Sequence, residues 1–233
     1  MPVNPLIVIP VKDFGEAKSR LAGVLPAGRR AALARRLCER TLRFCRRRLP
    51  DHDLLVVTAS TAIAALARRH GARVLEEPRA AGLCAAARRA AAWSRRHGYT
   101  AQLLIPADIA RLDEGEIRHL LAARPAGAGV VICPASDGGT NALLTSPPDA
   151  LPFRFGERSS EAHRESARRL GLPCRVIELE HLRFDLDTPD DLGALDALIQ
   201  RQGGDTPQEL TRLWNLCSNR PAMTPEAAWL TMP

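Results

Sequence analysis

The chain has 233 residues, 45% of them apolar and 25% charged, a composition that suits one soluble α/β domain with a full core better than two small domains. Its net charge of +7 comes almost wholly from arginine, in pairs such as Arg68-Arg69 and Arg95-Arg96 scattered over several predicted helices. With only five Phe, three Trp and one Tyr to interleave, those pairs read as solvated helix faces and speak against a nucleic-acid-binding stripe.

The apolar run Leu6 to Val11 is a buried strand that hands the chain to a loop holding Gly15 and the cations Lys12, Lys18 and Arg20. Lysine occurs at no other position, which sets Lys12 and Lys18 apart from the arginine-rich helix faces. Ligands of open α/β sheets sit beyond the carboxyl ends of the strands, so this loop suits a polyphosphate; a basic surface turn is the plainer alternative. Leu33, Leu37, Thr41, Phe44 and Leu49 fall on one helical face, which predicts a helix from Pro26 to about Leu49. Asp53 to Val57 reads as a strand, Thr61 to His70 as a helix ended by Gly71, and Arg73 to Leu75 as a short strand. A further helix opens after Gly82 and closes on Arg95 to Gly98, so His70 and His97 are read as C-terminal capping residues.

Gln102 to Ile105 is the next strand, followed by Pro106-Ala107-Asp108. Asp113 as an N-cap with Glu116 three residues on predicts a helix to about Ala123. Strands are expected at Gly129 to Cys133, Ala142 to Leu144 and Cys174 to Leu179, with a helix from Ser159 to Leu170 between the last two. Thr188-Pro189-Asp190-Asp191 opens a final helix to about Gln200. Alternating strands and helices predict a mainly parallel sheet covered on both faces, in a single domain over residues 1–202. Residues 203–233 read as a tail with one helical turn around Pro207 to Leu216. The six cysteines include no CxxC pair, no apolar run approaches 18 residues and no signal-peptide pattern opens the chain, so the expectation is a reduced, cytoplasmic protein without a structural zinc or membrane span.

Asp108, just past a strand, suits a magnesium ligand for phosphate chemistry or, more plainly, a loop-turn aspartate. Asp185 and Asp187 alternate with Phe184 and Leu186; in a strand both carboxylates share one face, either to hold one or two magnesium ions together with Asp108 or as part of an exposed edge. Asp137 to Asn141 is a Gly-rich turn, and Arg154 to Ser160 leads into a helix whose first amides, with Ser159, suit an anion. No Ser/His/Asp or Cys/His arrangement stands out. That is compatible with a nucleophile that is already anionic, such as a phosphate monoester attacking a nucleotide α-phosphorus, which needs positioning and charge neutralisation in place of a base.

In this order, IPVKDFGEAKSRL, PADIARL, DGGTNALL, RFGERSSEAH and DLDTPDDL resemble the motifs of the CofC/FbiD family of guanylyltransferases in coenzyme F420 biosynthesis, over about residues 5 to 200. The resemblance implies a Rossmann-like, GT-A/MobA-like fold: a mostly parallel sheet with helices on both faces. It also implies a cytoplasmic enzyme that uses GTP and Mg2+ to join GMP to the phosphate of a three-carbon phospho-acid, releasing pyrophosphate, with a homodimer compatible. By that resemblance Lys12, Lys18 and Arg20 bind the triphosphate, Asp108 and Asp185 hold magnesium with Asp187 as an alternate, and Thr140, Gly156 and Ser159 hold the acceptor. Gly82-Leu83-Cys84 stands where the family usually reads Gly-Leu-Asn in the nucleotide-side loop, so Cys84 replaces an amide. Ala110 stands in place of Pro, and Glu157-Arg158 in place of Pro-Gly. An added Arg158 at the pocket rim favours 3-phospho-D-glycerate over phosphoenolpyruvate or 2-phospho-L-lactate. The rival readings are a transferase for another nucleotide or sugar phosphate and, from another class, a basic nucleic-acid-binding module.

Overall fold

A computed structural model describes residues 4–202, 215 and 217. The strands are β1 (Leu6–Pro10), β2 (Leu54–Thr58), β3 (Arg73–Glu76), β4 (Gln102–Leu104), β5 (Gly129–Pro134), β6 (Thr140–Ser146) and β7 (Cys174–Val176). Between and after them lie α1 (Ala27–Arg48), α2 (Thr61–Arg69), α3 (Leu83–Arg96), α4 (Glu114–Ala122), α5 (Ser159–Arg169) and α6 (Pro189–Gln202), with a 3-10 turn at Ser19–Leu21. The strands form one sheet in the order β3-β2-β1-β4-β6-β5-β7. Only β6 opposes the rest: it runs antiparallel to both β4 and β5, while the other pairings are parallel.

Side chains two apart on a strand share a face, and both faces of this sheet are buried. Ile7 and Ile9 pack with Cys38, Leu42, Ile63 and Leu120, from α1, α2 and α4. Leu6 and Val8 point the other way, onto Ala86, Ala87, Ala90 and Ala91 of α3 and Ala167 of α5. The run of alanines lets α3 lie close against β1, β2 and β4. A smaller third cluster joins Leu21 and Leu25 to Leu33 and Leu37 of α1, Ala110, Leu186 and Leu195 of α6.

The sequence underestimates β6. Thr140, Asn141, Thr145 and Ser146 look like loop residues, yet each finds a partner inside the fold. Asn141 Nδ2 donates to Leu182 O (3.2 Å), Thr145 Oγ1 to Pro148 O (2.7 Å) and Ser146 Oγ to Thr100 O (3.4 Å). Once paired, these polar groups cost little to bury, and the strand extends through them. β7 is shorter than expected, and the segment expected as a strand around Asp185 reduces to a single antiparallel bridge, Ile109 to Asp185. The alternation of its side chains survives: Leu186 and Phe184 enter the third cluster, and Asp185 and Asp187 face away from it toward Lys18.

Asp113 caps α4 as expected, accepting from Glu116 N at 2.9 Å. Glu116 does not close the capping box; its carboxylate accepts from His181 N (3.0 Å) and Leu182 N (2.9 Å) and so anchors the start of the acidic segment. His70 and His97 end α2 and α3 as C-caps. Among the described residues no helix is long and apolar enough to cross a membrane, and the six cysteines are free. Most of the expected tail lies outside the described residues; Asn215 and Cys217 are helical, and Cys217 rests against the third cluster. Leu37→Ala, in that cluster, is expected to cost about 2–5 kcal/mol, read as a lower urea midpoint at unchanged m-value. Leu170→Ala, at a side chain 54% exposed, should stay within about 0.5 kcal/mol of wild type.

Candidate active site

β1 has β2 on one side and β4 on the other, so the connections leave it in opposite directions and a crevice opens beyond its carboxyl end. A cleft of about 820 Å³ occupies that crevice. Its walls come from the ends of successive strands: Lys12 and Lys18 after β1, Ser60 after β2, Glu77 after β3, Asp108 after β4, and Thr140 at the start of β6.

Lys18 is 3% exposed. Its Nζ donates to Asp108 Oδ2 at 2.7 Å and to Asp187 Oδ1 at 3.4 Å, although these acids follow it by 90 and 169 residues. Burial by itself lowers the ammonium pKa, but Asp108 first and then Asp187 and Asp185 outweigh it, so the net pKa is raised and the lysine stays charged. Its backbone sits in the left-handed region, φ 59°, where a side chain is strained by roughly 1 kcal/mol. That conformation turns the ammonium inward, off the path of the loop. Arg20 completes the cationic side more loosely, with Nη1 3.8 Å from Asp187 Oδ2 and 3.9 Å from Asp137 Oδ2. Lys12 is exposed at the cleft mouth.

The two acidic segments are joined along their backbones. Ala110 N donates to Phe184 O at 3.0 Å and Leu186 N to Asp108 O at 3.4 Å. Burial, followed by the charge of Asp108, pushes the Asp185 carboxyl up to about 6, while a bond from Asn141 Nδ2 (3.4 Å) and the Lys18 charge act the other way. Asp191 holds the far end, accepting from Asp187 N (2.9 Å) and from Thr188 N and Oγ1 (2.6 and 2.8 Å). From behind, α1 fixes the Asp108 loop: Arg40 Nη1 donates to Ala110 O at 2.6 Å and Nη2 to Ile109 O, and Thr41 Oγ1 donates to Ala107 O at 3.3 Å.

Sequence reasoning gave Arg40, Glu116 and Asn141 no role in the site. Arg40 is hidden among surface arginines in the same helix, Glu116 passes for a capping residue, and only the place of Asn141 inside the Gly-rich motif marks it.

At the other end of the cleft Thr140 is held by two buried groups. Arg154 N–H donates to His163 Nε2 (3.0 Å), so that nitrogen keeps its lone pair and the ring proton sits on Nδ1, 3.1 Å from Thr140 Oγ1. Ser159 Oγ donates to the same oxygen at 3.0 Å. With both lone pairs taken, the Thr140 hydroxyl is left to donate into the cleft. Burial, followed by the charge of Arg154, holds His163 near 4, so the ring is neutral.

Three sequence expectations meet corrections here. Ser159 is 1% exposed and bonded to Thr140, so it reaches a ligand only through that threonine. The helix-start amides are taken, Ser159 N by Gly156 O (3.2 Å) and Ser160 N by Gly138 O (3.3 Å), which removes the expected anion nest. Arg158 projects into solvent and pairs with Glu161 at 2.6 Å, outside the residues that line the cleft. Gly82, with φ 83°, starts α3 and lines the cleft, whereas Cys84 lies behind it, its sulfur accepting from Phe155 N at 3.2 Å and tying α3 to the loop that carries Gly156.

Among the described residues no three acidic, histidine or cysteine side chains are grouped as a ready metal site. A magnesium ion on a nucleotide needs only one or two carboxylates, the rest of its shell being phosphate and water. Asp108, Asp185 and Asp187 offer hard oxygens, and Lys18 is the cation already balancing them; burial first and the charge of Asp108 second hold the Asp185 carboxyl above its ordinary range. The donor set therefore fits a magnesium–triphosphate.

The profile of a family described as "Guanylyl transferase CofC like" matches residues 5–213. The 3-phospho-D-glycerate guanylyltransferase of Colwellia psychrerythraea is 46% identical over 207 residues, covering 89% of this chain and 96% of that protein. The phosphoenolpyruvate guanylyltransferase of Conexibacter woesei is 39% identical over 205 residues, 87% of this chain and 92% of its own. Among solved structures, one assigned as a nucleotide-diphospho-sugar transferase from Desulfovibrio desulfuricans G20 superposes with a TM-score of 0.71 at 20% identity, covering 91% of this chain and 93% of that one, a likeness of fold.

Two outcomes test this geometry. Lys18→Gly, freed of left-handed strain, should be about 1 kcal/mol more stable to urea than Lys18→Ala. His163 binds a proton near 4 when folded and near 6.5 when unfolded, so its contribution is complete above pH 6.5 and is lost as pH falls toward 4. From pH 7 to 5 wild type should lose roughly 2 kcal/mol that His163→Gln does not. Asp185 acts in the opposite sense in both proteins, which makes the difference between them the readout.

Proposed function

The chain belongs to the family of CofC-like guanylyl transferases, and from that membership we propose that it transfers GMP from GTP to the phosphate of 3-phospho-D-glycerate, releasing pyrophosphate. The observation that carries the reading is the Lys18 ammonium held at 2.7 Å from Asp108 and 3.4 Å from Asp187 in the crevice beyond β1. A phosphate monoester is largely dianionic near neutral pH and attacks without a general base. One of its oxygens forms a bond to the α-phosphorus of GTP while the bond from that phosphorus to the α,β-bridging oxygen breaks. The electron pair leaves with pyrophosphate, and no proton has to move.

The protein's work is then in-line positioning and neutralisation of the developing charge. Lys12 and Arg20 meet the triphosphate from the mouth of the cleft, and Lys18 meets it from below. Asp108 and Asp185, with Asp187 beside them, would hold a magnesium ion, which when bound supplies further charge neutralisation on the phosphates. Thr140 donates its hydroxyl to the acceptor's acid group, while Gly156 stands one residue beyond Phe155, outside the residues that line the cleft. The choice of 3-phospho-D-glycerate rests on the 46% identity to the Colwellia enzyme, because Arg158 stands away from the cleft. On this reading the product enters coenzyme F420 biosynthesis in the cytoplasm, where free cysteines such as the six here persist.

Incubation with GTP, Mg2+ and each of 3-phospho-D-glycerate, phosphoenolpyruvate and 2-phospho-L-lactate, followed by mass analysis, should give the guanylylated diphosphate mainly from the first. No product from 3-phospho-D-glycerate would refute the substrate assignment. Asp108→Ala and Lys18→Ala should each lower turnover roughly 10²-fold or more while the fold persists by circular dichroism, and EDTA should abolish turnover. Wild-type turnover in either variant would count against the site.

A further inference from the structure

The transfer chemistry leaves one buried carboxylate of the cleft without a task. Glu77 follows β3, its N–H donating to Thr58 O at 2.9 Å. Its side chain is 6% exposed, and Oε1 has no hydrogen-bond partner. The cation beside it, Arg89, keeps its Nε 3.6 Å from that oxygen, beyond hydrogen-bond reach, on a side chain 48% exposed. A buried carboxylate oxygen without a donor is costly, and the compensation expected for one that lines a cleft is a ligand's N–H. The lining on this side of the cleft is mostly apolar, from Val57, Ala59, Ala80, Ala81 and Leu83, with the hydroxyl of Ser60 among them. That is a lining for a flat base.

Position within the sheet supports the same occupant. Glu77 and the β1 loop lie at the same rim, separated by β2, so they are two strand spacings or about 10 Å apart. A nucleoside whose triphosphate meets Lys12 and Lys18 therefore extends its base toward Glu77. Guanine alone among the common bases has two adjacent donors on its pairing edge, N1–H and the 2-amino group, which match the two oxygens of a carboxylate. Adenine offers a lone pair and a C–H there, cytosine a ring lone pair and a carbonyl, and uracil one N–H between two carbonyls.

We infer that Glu77 selects the nucleotide by accepting hydrogen bonds from guanine N1–H and its 2-amino group, with Gly82 and Leu83 closing over the base. This rests on the guanylyltransferase reading and adds the source of its base specificity. It also assigns a polarity to the cleft, with the base against β3 and the acceptor against β6.

The test compares wild type with Glu77→Gln on GTP, ITP, XTP and ATP, using 3-phospho-D-glycerate and Mg2+ and measuring kcat/KM for the nucleotide. Inosine lacks the 2-amino donor, so wild type should use ITP about 10 to 10² times less well than GTP. Xanthine presents N1–H beside a carbonyl, the complement of a carboxamide. Glu77→Gln should therefore lose about 10²-fold on GTP and gain on XTP, shifting the GTP-to-XTP ratio at least that far. The gain on XTP is a readout that misfolding cannot imitate. If the variant does not fold, wild type alone decides: equal use of GTP and ITP would overturn the assignment, and strong discrimination would support it. An active wild type whose GTP-to-XTP ratio survives Glu77→Gln would overturn the assignment and leave the transferase reading intact. A wild type inert toward GTP with all three acceptors would remove both.

Discussion

The ion pair between Lys18 and Asp108 is the interaction on which the rest of the site depends. An ammonium 3% exposed is tolerable only with carboxylates around it, and carboxylates packed as closely as Asp108 and Asp185 are tolerable only with a cation between. The arrangement is thus self-consistent as charge and unsatisfied as a resting state, because the acids outnumber the lysine. A magnesium–triphosphate would bring positive charge to the acids and negative charge to the lysine in one event. The left-handed backbone at Lys18 belongs to the same logic, since the strain there is repaid by contacts that exist only with the side chain turned inward.

Apolar packing holds these polar groups in place. The third cluster sits beneath them and binds the turn after Lys18, the middle of α1, Ala110 after Asp108, Leu186 between the two acids, and α6. Each member of the charged group is therefore within three residues of a side chain buried in a common core. Arg40 and Thr41 add direction to that packing by fixing the carbonyls on either side of Asp108. A site built in this way moves as a unit, and loosening the cluster disturbs lysine and acids together.

Along the rim of the sheet the cleft changes character in a regular way. Its β3 end is apolar with one carboxylate, its centre beyond β1 and β4 is charged, and its β6 end is hydroxyl-lined and ordered by His163. On the proposed reading, that sequence of environments would take base, triphosphate and acceptor in turn. It arises because each parallel strand delivers one loop to the same rim, and because the reversed β6 delivers its amino end there, bringing Thr140 opposite Asp108.

Much of this was legible in the sequence. The element order, the caps of α4 and α6, the two isolated lysines and the acidic segments follow from local rules, because periodicity, capping and strand-end position act over a few residues. What the sequence left open concerns pairings across the chain. The polar residues of β6 disguise a strand that pairs not only with β5 just before it but also with β4, about 40 residues away in sequence; Glu77 and Arg40 look like surface charges until burial is known, and Ser159 and Arg158 look like ligands until their partners are. The sequence by itself determined which chemical groups are present and which elements carry them. Tertiary structure alone decided which groups meet, since contacts between residues 90 and 169 positions apart arise from sheet order and core packing and leave no local signal.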